Sequence, residues 1–426
     1  MSHQRASGKK LAAFGAIGVF FIMAFEVLIM ISPFAFFFYS VFNPVFQFLS
    51  QYSLTKWTTS FFLPHMILPP TPFLKTLRIL GSVFFLAGLF TFTVCALQVY
   101  LGKIFKWGVA SRGLYRFIRH PQYLALGVWG IGMAILWPRF IVLVTLSLMF
   151  VLYYFLARDE ERRMLSQYGE TYEKYMAATG RFLPPALERP VSGLLYRLMP
   201  SAPLRHAAIP VLIVTVVIGT GFLLRTITLH SLPLAVQANL TVVPILPEDG
   251  GQEQEALASI QQAAAEGQIP FLKNDKSYLG YLMPADYIMQ GMIADTGSHF
   301  HLFKKHKTVA LITDWVLHPF EHLRRPPAAH MAAAHGVDPQ TARRQHCPLK
   351  IDQAGMDCDT CTYRRIIWVE ADFSPLGPVS GVQTLSLDTH RTPVGYTDVN
   401  LADGEIVNST EVGKATAWKD VPTPEI

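Results

Sequence analysis

Arg119, His120, Pro121 and Tyr123 fall within five residues of one another, at the threshold of a long apolar run. A second polar group, Arg158-Asp159-Glu160-Glu161-Arg162-Arg163, closes the apolar stretch that follows. Between them the two groups offer imidazole, phenol, guanidinium and a carboxylate pair. That set suits a zwitterionic, polar cofactor. Guanidinium and imidazole can hold a carboxylate, and the acids can take up an ammonium or ribose hydroxyls. The neighbouring apolar helices can hold a lipophilic second substrate. Each residue alone has a plainer reading: basic side chains at helix ends snorkel to the headgroups, and a Glu pair beside Arg commonly solvates a helix face. It is the joint placement that points to a site.

Bringing the two groups together needs a hairpin. The apolar runs Tyr123 to Trp137 and Phe140 to Ala157 are separated only by Pro138 and Arg139, so they predict two antiparallel helices with both polar ends on one side. Pro121 fits the first turn of the leading helix, where a missing N–H costs nothing. Further spans are predicted over Leu77 to Leu101 and Leu204 to Leu224, since a crossing takes about 20 apolar residues. Residues 11 to 49 are nearly all apolar, broken at Ser32-Pro33 and Asn43-Pro44, and form one long span or a hairpin of two. They follow a short basic head and read as an uncleaved first helix. Glu26 lies inside them, and an intramembrane carboxylate is either functional or bonded to a neighbouring helix. The prolines of residues 50 to 76 favour an interfacial or re-entrant segment, and residues 158 to 178 read as a charged amphipathic helix.

The composition agrees. Of 426 residues, 51% are hydrophobic and 15% charged, against about 25% charged in soluble domains. The net charge of +6 points to neither a nucleic-acid binder nor an enzyme for acidic substrates. It arises in loops facing a cytoplasmic leaflet. Lys103, Lys106, Arg112, Arg116 and Arg119 precede the hairpin with no acid among them, and Arg158, Arg162, Arg163 and Lys174 follow it. Both hairpin ends are therefore expected in the cytoplasm, with the last span carrying the C-terminal part to the extracytoplasmic side. The expected fold is an α-helical multi-span membrane bundle of about five spans followed by a soluble α+β domain. Its divisions are an N-terminal membrane portion at 1–76, a core at 77–206, a last helix at 204–225 and a soluble domain at 230–426.

Two stretches, GLYRFIRHPQYLALG at 113–127 and EERRMLSQYGETYEKYMAATGRFLPP at 160–185, resemble the isoprenylcysteine carboxyl methyltransferase family and its bacterial relatives. The family pattern is met at Gly113, Tyr115, Arg119, His120, Pro121 and Tyr123, and again at Glu160, Glu161, Leu165, Tyr168, Gly169, Tyr172, Tyr175, Arg181, Phe182 and Pro184. The resemblance covers roughly residues 77 to 185. It departs at Ala125, where the family usually has Gly, with Gly127 further on. It implies an integral membrane methyltransferase using S-adenosylmethionine, with His120, Pro121, Tyr123, Glu160 and Glu161 lining the cofactor pocket. Arg119 and Glu161 are the expected catalytic residues. Arg119 would face the cofactor carboxylate or the acceptor, and Glu161 would act as base for an amine or hydroxyl acceptor. A thiolate or carboxylate acceptor needs no strong base, and the partners are the lipid bilayer and a lipophilic or small-molecule methyl acceptor.

Residues 230 to 426 have no counterpart in that pattern. KTVALIT, RIIWVEA and VQTLSLD predict strands, and EQEALASIQQAAAEG predicts a helix. Eight histidines between His299 and His346 precede Cys347, Cys358 and Cys361. Cys347, Cys358 and Cys361 with His346 could complete a four-ligand site for zinc, copper or iron. A disulfide in an oxidising compartment and thiol exchange are the alternatives. Thr362 stands where haem attachment would require His. A protein partner for this domain is a further option. A second functional reading follows, in which the bundle is a degenerate scaffold anchoring an exported metal-binding or redox domain.

Overall fold

A computed structural model of the chain describes residues 48–49, 52–65, 67, 69–105, 112–246, 249–283, 363–372, 379–387 and 389–411. The chain divides into two compact units, one of Met1–Phe42 with Leu80–Phe222 and one of Asn43–Ile79 with Leu223–Ile426.

The first unit is helical. Its elements are α1 (Pro72–Ile104, within this unit from Leu80), α2 (Pro121–Leu136), α3 (Phe140–Tyr168), α4 (Glu170–Ala178), α5 (Pro185–Leu198) and α6 (Ala202–Ser231, within this unit to Phe222). Among the described residues, three helices are long and apolar enough to cross a membrane: Pro72–Gly102, Phe140–Tyr168 and Ala202–Ser231. The chain is an integral membrane protein. The shorter α2 makes the expected hairpin with α3, and the span or spans expected in residues 11–49 lie almost wholly outside the described residues, as does Glu26.

Small residues set the helix spacing. A Cβ at Gly88 of α1 would lie 2.4 Å from the Trp129 nitrogen on α2, and one at Gly132 would lie 2.4 Å from the Phe85 nitrogen. Only glycine lets the backbones meet this closely, the usual device where lipid gives helices no hydrophobic reason to associate. Ala125 belongs to the same seam. It is buried, and its carbonyl lies 2.8 Å from the position of a Cβ at Gly88. The close approach at residue 125 is thus provided by the facing helix.

The charged segment expected as a helix over 158–178 is not one element. Residues 158–168 prolong α3, and the break falls at Gly169 (φ 51°, ψ −130°), after which α4 starts. The main-chain ladder is indifferent to the change from apolar to charged side chains. It stops where glycine adopts a conformation that other residues rarely do.

The second unit is built on a six-stranded sheet, β1 (Ala235–Gln237), β2 (Leu240–Pro244), β3 (Ser277–Met283), β4 (Tyr363–Asp372), β5 (His390–Asn400) and β6 (Ile406–Glu411), neighbouring in that order. All pairings are antiparallel except β2 with β3, whose connection holds the helix α7 (Gln254–Ala265). The α+β expectation is met, with β4 and α7 where the sequence placed a strand and a helix. Side chains alternate across the sheet. Leu279, Tyr281, Ile367 and Val369 face a core shared with Ile67 and Leu232, while Tyr278, Leu282, Ile366 and Trp368 face α7. Ile67 comes from the proline-rich stretch read as interfacial, and Phe61, Phe62 and Leu63 nearby are also buried. VQTLSLD is not a strand: Gly381–Leu385 is a turn of 3-10 helix. Its carbonyl ends are gathered by Arg391, whose guanidinium donates to the Thr384 and Ser386 oxygens at 2.7 and 2.8 Å. The strand expected at KTVALIT lies outside the described residues.

Trp368 is fully buried, donates from Nε1 to Thr397 Oγ1 at 3.0 Å, and stands between Gly280 on β3 and Gly395 on β5. A Cβ at Gly280 would come within 2.9 Å of the indole ring. Trp368→Ala is expected to destabilise this unit by about 3–5 kcal/mol, the range for emptying a buried aromatic site. Chemical denaturation of the full chain, followed by circular dichroism, measures it.

Candidate functional site

The Arg-His-Pro segment is held by main chain from far along the sequence. Residues 117 to 120 run beside 180 and 181: Gly180 N donates to Phe117 O at 3.1 Å, Arg119 N to Gly180 O at 2.8 Å and His120 N to Arg181 O at 3.0 Å. Ile118 and Gly180 form a parallel bridge. A Cβ at Gly180 would lie 1.9 Å from the Leu183 oxygen, so this rung accepts only glycine. Pro121 then opens α2 in its first turn, with His120 as the N-cap residue.

Two carboxylates reach this segment from α3. As consecutive helical residues they diverge by about 100°, and they have different partners. Glu161, with a side chain only 5% exposed, is gripped by two guanidiniums. Arg119 Nε donates to its Oε1 at 2.7 Å, and Arg181 donates to its Oε2 from Nε at 3.0 Å and from Nη2 at 2.5 Å. Arg119 is further fixed by Nη1, which donates to the carbonyls of Met176 at 2.9 Å and Thr179 at 2.5 Å. Glu160 is 35% exposed and has no guanidinium partner among the described residues. Its Oε1 accepts from the Tyr123 hydroxyl at 2.5 Å.

His120 sits between the two acids, with Nδ1 3.3 Å from Glu160 and Nε2 3.5 Å from Glu161. Nε2 is buried and makes no close hydrogen bond among the described residues. Burial pushes the imidazole towards neutrality, but the two carboxylates outweigh it and hold its pKa above the ordinary value. Tyr123 is stacked between His120 (5.5 Å between centroids) and Tyr153 (4.6 Å). Burial pushes the Tyr172 and Tyr175 hydroxyls up to about 12, so both remain protonated. Tyr175 uses its proton to bond the Tyr115 carbonyl at 2.6 Å.

All five residues singled out around the cofactor, with Arg119, therefore meet in one place. Sequence reasoning left out four others. Arg181 stood in the matched pattern without a role. Tyr153 and Tyr154 were hidden in an apolar span. His206, a lone histidine in α6, lies 2.9 Å by Nε2 from Arg158 Nη2 and 3.3 Å by Nδ1 from the Tyr154 hydroxyl. Since a guanidinium only donates, Nε2 is the acceptor and Nδ1 carries the proton. Cys347, Cys358, Cys361 and His346 lie outside the described residues, and among the described residues no group of His, Cys, Asp and Glu could hold a metal ion.

Residues 76–171 match the model of a family described as phospholipid methyltransferase. A protein-S-isoprenylcysteine O-methyltransferase of Schizosaccharomyces pombe is 33% identical over 91 residues, covering 18% of this chain and 38% of that relative. The chain thus spans well under half the length of the curated relative it matches. No solved structure matches it.

The charge on His120 gives a testable pH dependence. A folded-state pKa above the unfolded one stabilises fully below the unfolded value, about 6.5, and the contribution is lost as pH rises through the folded value. The difference in Tm between the wild type and His120→Gln is expected to be largest below about pH 6.5 and to shrink as the pH is raised above it. Thermal unfolding over a pH series measures it.

Proposed function

We propose that this chain is a membrane-embedded, S-adenosylmethionine-dependent methyltransferase, working from a segment, residues 76–171, of the phospholipid methyltransferase family. The observation that carries the proposal is the convergence of Arg119, His120, Tyr123, Glu160 and Glu161 at the end of the α2–α3 hairpin. The donor set suits the cofactor. Glu160 is a partly exposed anion without a guanidinium partner among the described residues, beside the stacked rings of Tyr123 and Tyr153. A cationic group or ribose hydroxyls would find their acceptor there. Arg158 has no carboxylate partner among the described residues and could receive a carboxylate. When bound, the cofactor supplies an activated methyl group on a sulfonium.

For such a displacement the protein has to align donor and acceptor and keep water away. His120, Pro121, Tyr123 and Glu160 hold the cofactor in this reading, with Pro121 fixing where the helix begins. Arg119 and Glu161 face the reaction as a rigid ion pair that orients the partners. Both Glu161 oxygens are engaged by guanidiniums, which disfavours proton abstraction and favours an acceptor arriving as an anion. A lipophilic or small thiol or carboxylate fits. The reading in which the bundle is only an anchor has no comparable support. We further infer that the polar end of the hairpin is cytoplasmic, from its Lys/Arg excess, and that α6 carries the sheet unit to the other side.

S-adenosylmethionine, or its demethylated product, is expected to raise the Tm of the purified protein. Glu160→Gln and Tyr123→Phe should each weaken binding by about 1.5–3 kcal/mol, the range for a hydrogen bond to a charged group, while Arg139→Ala, in the opposite loop, leaves it unchanged. Failure of either ligand to bind would overturn the proposal. For topology, single cysteines replace Glu170 or Asp403 in a chain freed of its four native cysteines. A membrane-impermeant thiol reagent on intact cells should label position 403 and not 170, and equal labelling would refute the crossing by α6.

A further inference from the structure

The helix α5 is turned the wrong way for a helix in water. Leu187, Val191, Leu194 and Leu198 recur at helical spacing and are 61%, 58%, 56% and 65% exposed. No residue of the helix is buried. Two of its polar side chains, by contrast, are bonded to the main chain that precedes the helix. Glu188 Oε2 accepts from the Phe182 and Leu183 N–H groups at 3.0 and 3.1 Å, and Arg189 Nη2 donates to the Ala177 carbonyl at 2.8 Å. A surface helix of a soluble domain shows the reverse orientation, with its apolar stripe on the core.

The chain path constrains what could cover the stripe. Residues 169 to 201 connect α3 to α6, which are both membrane-spanning by length and composition. Neither α4 nor α5 is long or apolar enough to cross, so the connector leaves and re-enters the membrane on one face. Fourteen residues of helix, about 21 Å long, are therefore kept at one bilayer surface. The far end is tied to the next span. Arg205, in the first turn of α6, donates from Nη1 to the Met199 and Pro200 carbonyls at 2.7 and 2.6 Å. Its guanidinium lies 4.1 Å over the Tyr196 ring. Arg and Tyr are residues that settle at headgroup level.

We propose that α5 lies in the plane of the membrane, with Leu187, Val191, Leu194 and Leu198 seated at the boundary of headgroups and acyl chains in the leaflet next to the candidate site. An amphipathic helix of this kind buries its apolar face to about 5–10 Å and keeps its charges in water. The depth passes to the site through short covalent and hydrogen-bonded links. Glu188 fixes the main chain of residues 182 and 183, and Arg181 beside them grips Glu161. The lipid surface thereby sets the level at which the site meets an acceptor. The inference rests on the exposure pattern and the chain path, and it stands whether or not the chain transfers methyl groups.

The test uses the full chain, freed of native cysteines and reconstituted in liposomes of phosphatidylcholine and phosphatidylglycerol. Single spin labels are placed at 187, 191, 194 and 198, and for comparison at 186, 193 and 197. Collisions with oxygen, enriched in the acyl region, and with a water-soluble nickel chelate are measured for each. The four stripe positions should favour oxygen and the three others nickel, with the helical period visible along the series. Nickel access at all seven would overturn the proposal. So would protection of the stripe from both reagents, which would mean that protein, a second copy of the chain or another partner, covers this face.

Discussion

Glu161 carries a charge near the end of a helix that is otherwise a membrane span, and its side chain is almost wholly removed from water. An ion in such a place is tolerated only when its partners are fixed around it. Here they come from separate parts of the chain: Arg119 before α2, and Arg181 after α4. The Arg119 guanidinium is in turn held by the Met176 and Thr179 carbonyls, and the main chain of Arg181 by the rung that pairs 180–181 with 117–120. One buried acid therefore dictates the register of three segments. A buried pair of this sort contributes little net stability against an apolar substitute, but removal of one partner is costly. Its value is geometric, because it sets where His120 and Tyr123 point.

Much of this half was legible in the sequence for specific reasons. Pro121 marks a helix start because it lacks an N–H, and Pro138-Arg139 leaves room for only a tight turn. Charge onset at Arg158 was misleading. It marks where water begins, whereas the helix ends where Gly169 allows it to, eleven residues later. Arg181 could be matched to a pattern but not given a task, since its contact with Glu161 depends on a backbone rung that no local rule foresees. His206 had no sequence signal at all, because a single histidine in an apolar run becomes informative only once Arg158 and Tyr154 are seen beside it.

The sheet unit repeats the lesson with other chemistry. RIIWVEA reads as a strand because its β-branched and aromatic residues suit a pleated surface, and it is one. VQTLSLD has the same alternation but is taken over by tertiary bonds. Thr241 Oγ1 accepts from the Gly381 N–H at 2.7 Å, and Arg391 captures the carbonyls that a strand would have offered to a neighbour. Local preference was overruled there by a buried arginine ten residues away from Gly381, a partner visible only in three dimensions.

The rung joining 117–120 to 180–181 has a consequence for the order of assembly. The family match stops at residue 171, yet the strand-like partner of the Arg-His-Pro segment and the second guanidinium both lie beyond it. In chain order the hairpin, ending at Tyr168, precedes Gly180 and Arg181 and leaves the ribosome ahead of them. Until they emerge, Glu161 has one of its two clamps, and the amides of Arg119 and His120 have no backbone acceptor. The site is thus completed from its C-terminal side, up to Glu188, whose carboxylate fixes the turn that delivers Arg181. A chain cut short after Tyr168 would keep both helices of the hairpin and lose the rung and the second clamp on Glu161.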